Sequence, residues 1–330
     1  MKMQSRAAAL AAALALGTQA FVSVSAAGAA EKYSVDKRVE LSGAGRWDYI
    51  SVDTVRHRVF IARSDHLDVV DADSGALVGS IPGLAGVHGA VFAQDLKLGF
   101  ASNGRSDTIT VFDLDTLKPM KEIKVSGSNP DALLYHAKSR RLYAFNGKTA
   151  NASVIDATTL AEVKTIALGG KPEAASSDDA RIFVNIEDNA TLAVIDAATA
   201  AVQATWPLAG CADPTGLAYD ALRARVFSVC ANGKMVVTDA ATGLRVAEAP
   251  IGAGPDGAEY DAAGRNVLSS NGKSGTLTVI HQDDADHYAV TANVATGPGA
   301  RTMALDPQTR RIYLPTVAAE KFTVLMVAPH

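Results

Sequence analysis

The sequence predicts an all-β protein, a seven-bladed β-propeller of four-stranded antiparallel blades, on three observations. One pattern of about forty residues recurs seven times, a period characteristic of propellers. Each copy is filled with short hydrophobic strands set off by Gly, Asn and Asp turns. The last copy is one strand short, and a spare strand stands ahead of the first copy.

The repeat is marked by a strand that ends in Asp: VVD at Asp71, VFD at Asp113, VID at Asp156, VID at Asp196 and VTD at Asp239. Two altered copies follow, VIH at His281 and VLM at Met326. Successive anchors lie 42, 43, 40, 43, 42 and 45 residues apart. Within one copy, TGLAYD, RVFSVC, MVVTD and RVAEAPI read as four strands joined by short turns. The Asp that closes the third strand has a structural role, because its carboxylate accepts backbone N–H groups of the D-x-x-T/S-G turn.

Both ends of the chain fit this plan. Lys2 and Arg6, an apolar run over residues 7–16 and small residues over 23–30 have the layout of a secretory signal peptide. The expectation is an exported, periplasmic protein, with residues 31–330 as one domain. No later run is long and apolar enough for a membrane helix. The copy starting at Arg301 has only three strands, TMALD, RIYLP and FTVLM, so YSVDKRVEL at residues 33–41 is expected to complete that blade and close the ring. A monomer is expected.

The formal charge is −4, and removing Lys2 and Arg6 makes it more negative. With 6% aromatic residues besides, neither a global attraction to nucleic acid nor a base-stacking groove is expected. Cys211 and Cys230 fall in one repeat of an exported chain, and hairpin register brings them close, which points to a disulfide; two buried thiols are the alternative. Gly252 to Gly257 fits G-x-G-x-x-G but joins two strands and opens no helix, so a dinucleotide site is rejected.

The motifs RRLY, RRIY and TLxVID, followed by G-x-x-P-type linkers, resemble the YVTN-repeat propellers, and the leader makes the chain most similar to their YncE-like periplasmic members. That resemblance covers nearly all of residues 33–330. It implies the fold, and it leaves function open among DNA binding, surface-layer and unassigned roles; related propellers include metal-dependent lactonases and lyases.

Function should sit in the funnel. One residue per blade, five before the turn that ends the first strand, should ring one mouth: Asp48, His88, Asp131, Glu173, Thr215, Asp256 and Arg301. The ends of the second strands should bring Asn103 with Arg105, Asn146 with Lys148, and Asn271 with Lys273 to the same face, and Arg63 in the first blade. The ring changes charge from blade to blade, where a purely structural position would keep one residue.

Three functions fit. The first is binding or scaffolding of a polar or anionic small molecule or a peptide, with an envelope protein as a macromolecular partner. The second is a hydrolase or lyase in which Asp48, Asp131, Glu173 and Asp256, with Asn146 or Asn271, hold Ca²⁺ or Mg²⁺ and His88 or a free carboxylate moves the proton. The third, single-stranded DNA binding, comes from the resemblance alone.

Overall fold

The computed structural model describes residues 31–43 and 46–330. The expected signal peptide, residues 1–30, lies outside them. Regular structure in the described residues is strand, apart from three single-turn 3-10 segments. All pairing between strands is antiparallel.

Five sheets have four strands and one has seven. The expectation of separate four-stranded units fails at one junction. There the strand Leu77–Ala93 runs unbroken, pairing through its first half with Ser64–Asp71 and through its second half with Leu98–Asn103. The reason lies in the linker. Pro130, Pro172, Pro214 and Pro255 open the inner strands of four other sheets, and proline has no N–H for a ladder. Val87 stands in their place, pairing with both Ser64 and Asn103.

Strand Tyr33–Leu41 pairs along its length with Lys321–Pro329, with a register shift between Val35 and Lys37. It takes the outer place in a sheet whose other strands come from residues 304–329. A polar cluster fastens it at its start. Arg310 donates to Glu31 at 2.7 Å and to Asp261 at 2.6 Å, and the Tyr33 hydroxyl donates to Asp261 at 3.0 Å.

Apolar side chains face between sheets rather than into one central core. One cluster joins Val59, Ile61 and Val70 to Tyr313, Phe322 and Val324; another joins Leu268 and Val279 to Leu314 and Leu325. Polar clasps span the same seams, and one, from Arg58, lies within the seven-stranded sheet. Arg58 donates to the carbonyl of Leu114 at 2.8 Å, Arg141 to Ala197 at 3.1 Å, Arg225 to Ala285 at 3.0 Å and Arg311 to Ala72 at 3.3 Å. Arg181 does the same to Ala240. Tyr143 and Tyr313 hydroxyls donate to Ala197 and Ala72 as well. The R-x-Y part of the repeat motif is thus a bond between neighbouring sheets.

The turn aspartates behave as expected. Asp71 accepts from the backbone N–H groups of Asp73 and Ser74, Asp156 from Thr158 and Thr159, and Asp239 from Ala241 and Thr242. The disulfide is present: Cys211 and Cys230 are bonded with their Cα atoms 5.4 Å apart.

Deleting residues 31–41 would strip the partner from the hydrophobic strand Lys321–Pro329. We expect aggregation or a melting temperature lowered by many degrees, read by differential scanning calorimetry; a monomer of unchanged stability would count against this role. Arg311→Met should cost about 1–2 kcal/mol in urea unfolding, the worth of a charge-assisted bond at a partly exposed seam.

Candidate functional site

The expected ring residues share a local backbone device. In five sheets the pairing between inner and second strand skips just after the strand enters. The register jumps from Val87 to Ala90, Pro130 to Leu133, Pro172 to Ala175, Pro214 to Leu217 and Pro255 to Gly257. His88, Asp131, Glu173, Thr215 and Asp256 fall in those gaps. A bulge re-aims the side chain it carries, here out of the seams between sheets. Neighbouring inner strands also crowd together: a Cβ at Gly216 would lie 2.5 Å from the Ala258 nitrogen, so only glycine fits there.

The result is a mouth of about 710 Å³, lined among others by Arg46, Asp48, His88, Arg105, Asn129 and Arg301. His88 Nδ1 lies 2.7 Å from Asp48 Oδ2 and 3.6 Å from Asp131 Oδ1. The Asn129 side chain stands beside His88. His88 Nε2 and Asn129 Oδ1 both pack over Gly104, where a Cβ would come within 2.4 and 2.8 Å of them. Burial disfavours protonation of His88, but the Asp48 hydrogen bond and the Asp131 charge outweigh it and raise its pKa.

Arg301 bridges two carboxylates, with 3.2 Å to Asp48 and 2.8 Å to Asp256. Lys171 does the same for Glu173, at 2.6 Å, and Glu187. Burial lifts the Asp131 carboxyl to about 6, with Asp48 adding to the shift and His88 opposing it. Burial lifts Asp256 to about 6 against the pull of Arg301. Glu173 is raised by burial, opposed by Lys171 and reinforced by Asp131.

Below the mouth runs a narrower channel of about 210 Å³ with Ala132, Ala174, Ala175, Leu217 and Met303 in its walls. Tyr49 lines it too. Its N–H donates to the His88 carbonyl at 2.9 Å, while its ring packs against the cluster built from residues 132–200. Burial, then the charges of Asp131 and Glu173, hold its phenol well above the usual value, so it stays a donor. Deeper in the wall, burial pushes Glu259 up to about 7.

The structure thus gathers Asp48, His88, Asp131 and Arg301, with Asp256 and Arg105 beside them. Lys273 borders an adjoining depression that also touches Asp256 and Arg301. Other expected residues go elsewhere. Asn103, Asn146 and Asn271 are buried inside their sheets, donating to Thr108 and Thr110, to Asn151 and Ser153, and to Thr276 and Thr278. They shape strand ends and do not line the mouth. Lys148 is exposed outside it. The Thr215 hydroxyl donates to the Pro255 carbonyl at 3.1 Å. Arg63 is buried against Asp68 and over the Phe322 ring.

Of the four carboxylates expected to hold Ca²⁺ or Mg²⁺, Glu173 and Asp256 are engaged by Lys171 and Arg301, while Asp48 and Asp131 converge on His88. Sequence reasoning missed Arg46, Asn129 and Lys171. Each stands two residues before a ring position, a column that a linker alignment displays.

No family model and no curated protein matches the chain. Solved structures do. A chain of the hydrazine synthase of Kuenenia stuttgartiensis is similar with a TM-score of 0.75 at 19% identity, covering 87% of this chain and 96% of that one. A chain of a mitotic checkpoint complex is similar with a TM-score of 0.78 at 12% identity, covering 96% and 99%. At these identities the likeness shows the fold alone: the protein is an all-β propeller.

Glu259 offers a test of channel burial. Its folded pKa, about 7, lies above the unfolded value, so the folded state holds the extra proton between them. Its contribution is therefore lost as pH rises from about 4.5 to 7. Glu259→Gln should stabilise the protein at pH 8 by roughly 1–3 kcal/mol and leave it nearly unchanged at pH 4.5. Melting temperatures across that range would show the gap opening with pH; a pH-independent gap would refute the assignment.

Proposed function

We propose that residues 31–330 form one closed ring of seven blades whose mouth binds a polar anionic small molecule or an acidic peptide segment. The seven-blade count takes the seven-stranded sheet as two blades sharing Leu77–Ala93. Closure is supported by the pairing of Tyr33–Leu41 with Lys321–Pro329 and by the apolar cluster linking residues 50–72 with residues 304–326. The repeat motifs and the leader support placing the chain with the YVTN-repeat, YncE-like propellers of the periplasm, where the Cys211–Cys230 bond is at home.

One observation carries the binding reading. Arg46 and Arg105 line the mouth, and neither makes an ion pair with another described residue. Arg301, by contrast, is neutralised by Asp48 and Asp256. Guanidinium groups suit planar anions, which they grip with paired N–H donors. A concave polar mouth of this size suits such a ligand. An envelope protein presenting an acidic segment is the macromolecular version of the same ligand.

Calorimetric titration with citrate, succinate, a sugar phosphate and an acidic peptide tests this. Binding should weaken about 10-fold or more in Arg105→Ala or Arg46→Ala, as the loss of a charge-assisted bond predicts, and should fall with added salt. Absence of heat and of thermal stabilisation at millimolar anion would overturn the reading. So would binding that both substitutions leave intact.

A further inference from the structure

Three side chains from separate strand entries converge at the mouth: Asp48, His88 and Asp131 each offer one donor atom, and these atoms lie within 4.8 Å of one another. We infer that these three side chains form a site for one divalent cation of the zinc or manganese class, open on the side of the mouth.

Geometry supports the site first. Ligand atoms about 2.0–2.2 Å from a tetrahedral metal stand roughly 3.2–3.6 Å apart. The 3.6 Å between His88 Nδ1 and Asp131 Oδ1 already has that spacing. The 2.7 Å between His88 Nδ1 and Asp48 Oδ2 is a hydrogen bond, and replacing its proton with a metal needs an opening of under about 1 Å. Both ends of that contact border open space in the mouth, so the movement meets no packed core.

The surroundings supply a second line of support. A ligating imidazole normally gives its other N–H to an acceptor that fixes the ring. Asn129 is placed for that role, its side-chain oxygen and His88 Nε2 packed side by side over Gly104. Arg301 takes Asp48 Oδ1, which leaves Oδ2 for the metal. Two of the three ligands are thus oriented by a partner outside the coordination shell.

The donor set selects the ion. Ca²⁺ wants six to eight oxygens, and Mg²⁺ an octahedral, largely hydrated oxygen shell. One imidazole with two carboxylates suits Zn²⁺ or Mn²⁺ better. Arg46 and Arg105 line the same mouth, so a bound anion can complete the shell. The site is independent of the anion reading: the cation needs only the three ligands, and the arginines can hold an anion without it.

The purified protein would be titrated with Mn²⁺, free ion being read by electron paramagnetic resonance, and with Zn²⁺ by calorimetry, with Ca²⁺ and Mg²⁺ alongside. We expect one equivalent of Mn²⁺ or Zn²⁺ and much weaker Ca²⁺ and Mg²⁺ binding. Asp131→Asn and His88→Gln should each lose about 10-fold or more in affinity, Asn129→Ala several-fold, and Glu259→Gln nothing. A measurement that needs no variant guards against unfolding: Mn²⁺ should broaden the imidazole signal of one histidine among the seven. No binding at millimolar Mn²⁺ and Zn²⁺ would overturn the inference. So would stoichiometric binding unaffected by Asp131→Asn and His88→Gln, or broadening of a different histidine. No anion enters these titrations, so failure here leaves the anion reading standing, and the reverse.

Discussion

A bond from an arginine at the start of a second strand to a carbonyl beyond its own four strands recurs along this chain, at Arg58, Arg141, Arg181, Arg225 and Arg311. The rest of the architecture depends on it. A set of four strands cannot bury its faces alone, so apolar contact is possible only against a neighbouring set. The arginine adds a directed bond across that contact. For Arg58, Arg141, Arg181 and Arg311 the acceptor carbonyl directly follows an anchoring Asp of the repeat, respectively Asp113, Asp196, Asp239 and Asp71. Turn and clasp are therefore one construction at one end of the sheets. At the opposite end the ties differ from copy to copy, as where Arg301 bridges Asp48 and Asp256 and Thr215 donates to the Pro255 carbonyl, and there side chains vary in charge.

That division explains what the sequence makes legible. The period, the turn aspartates, the strand Tyr33–Leu41 and the disulfide each rest on local chemistry that a reader can see: alternating side chains, Asx turns, paired cysteines. The three asparagines mislead because Asn-Gly-Lys looks like an exposed tip. Each is instead the last residue of its strand, and alternation turns it inward onto hydroxyl or amide groups of the following strand. The bulges that aim Asp131, Glu173 and Asp256 leave only one trace, the proline just before each of them. The unbroken junction at Val87 is readable in principle as the absence of that proline.

At the mouth, charge is concentrated and then compensated locally. Carboxylates there are raised by burial, and they remain tolerable because Arg301 and Lys171 each serve two of them. Such sharing leaves a patch whose affinity is set by small displacements: any group that draws Arg301 or His88 aside alters the field felt by every neighbour. A rim of this kind is better suited to selecting a ligand than to stabilising a fold.

The strand Leu77–Ala93 is shared by two neighbouring sets of strands, where the other sheets meet only through a linker. His88 lies on it just beyond two left-handed glycines, Gly83 and Gly86, and its carbonyl accepts from the backbone N–H of Tyr49, one residue from Asp48. Asp48 and His88 are therefore tied through a backbone bond as well as through their side chains, whereas Asp131, Glu173 and Asp256 each enter on a strand of a separate sheet. Two of the polar groups at the mouth thus hang from one stretch of joined backbone, and the other three arrive independently.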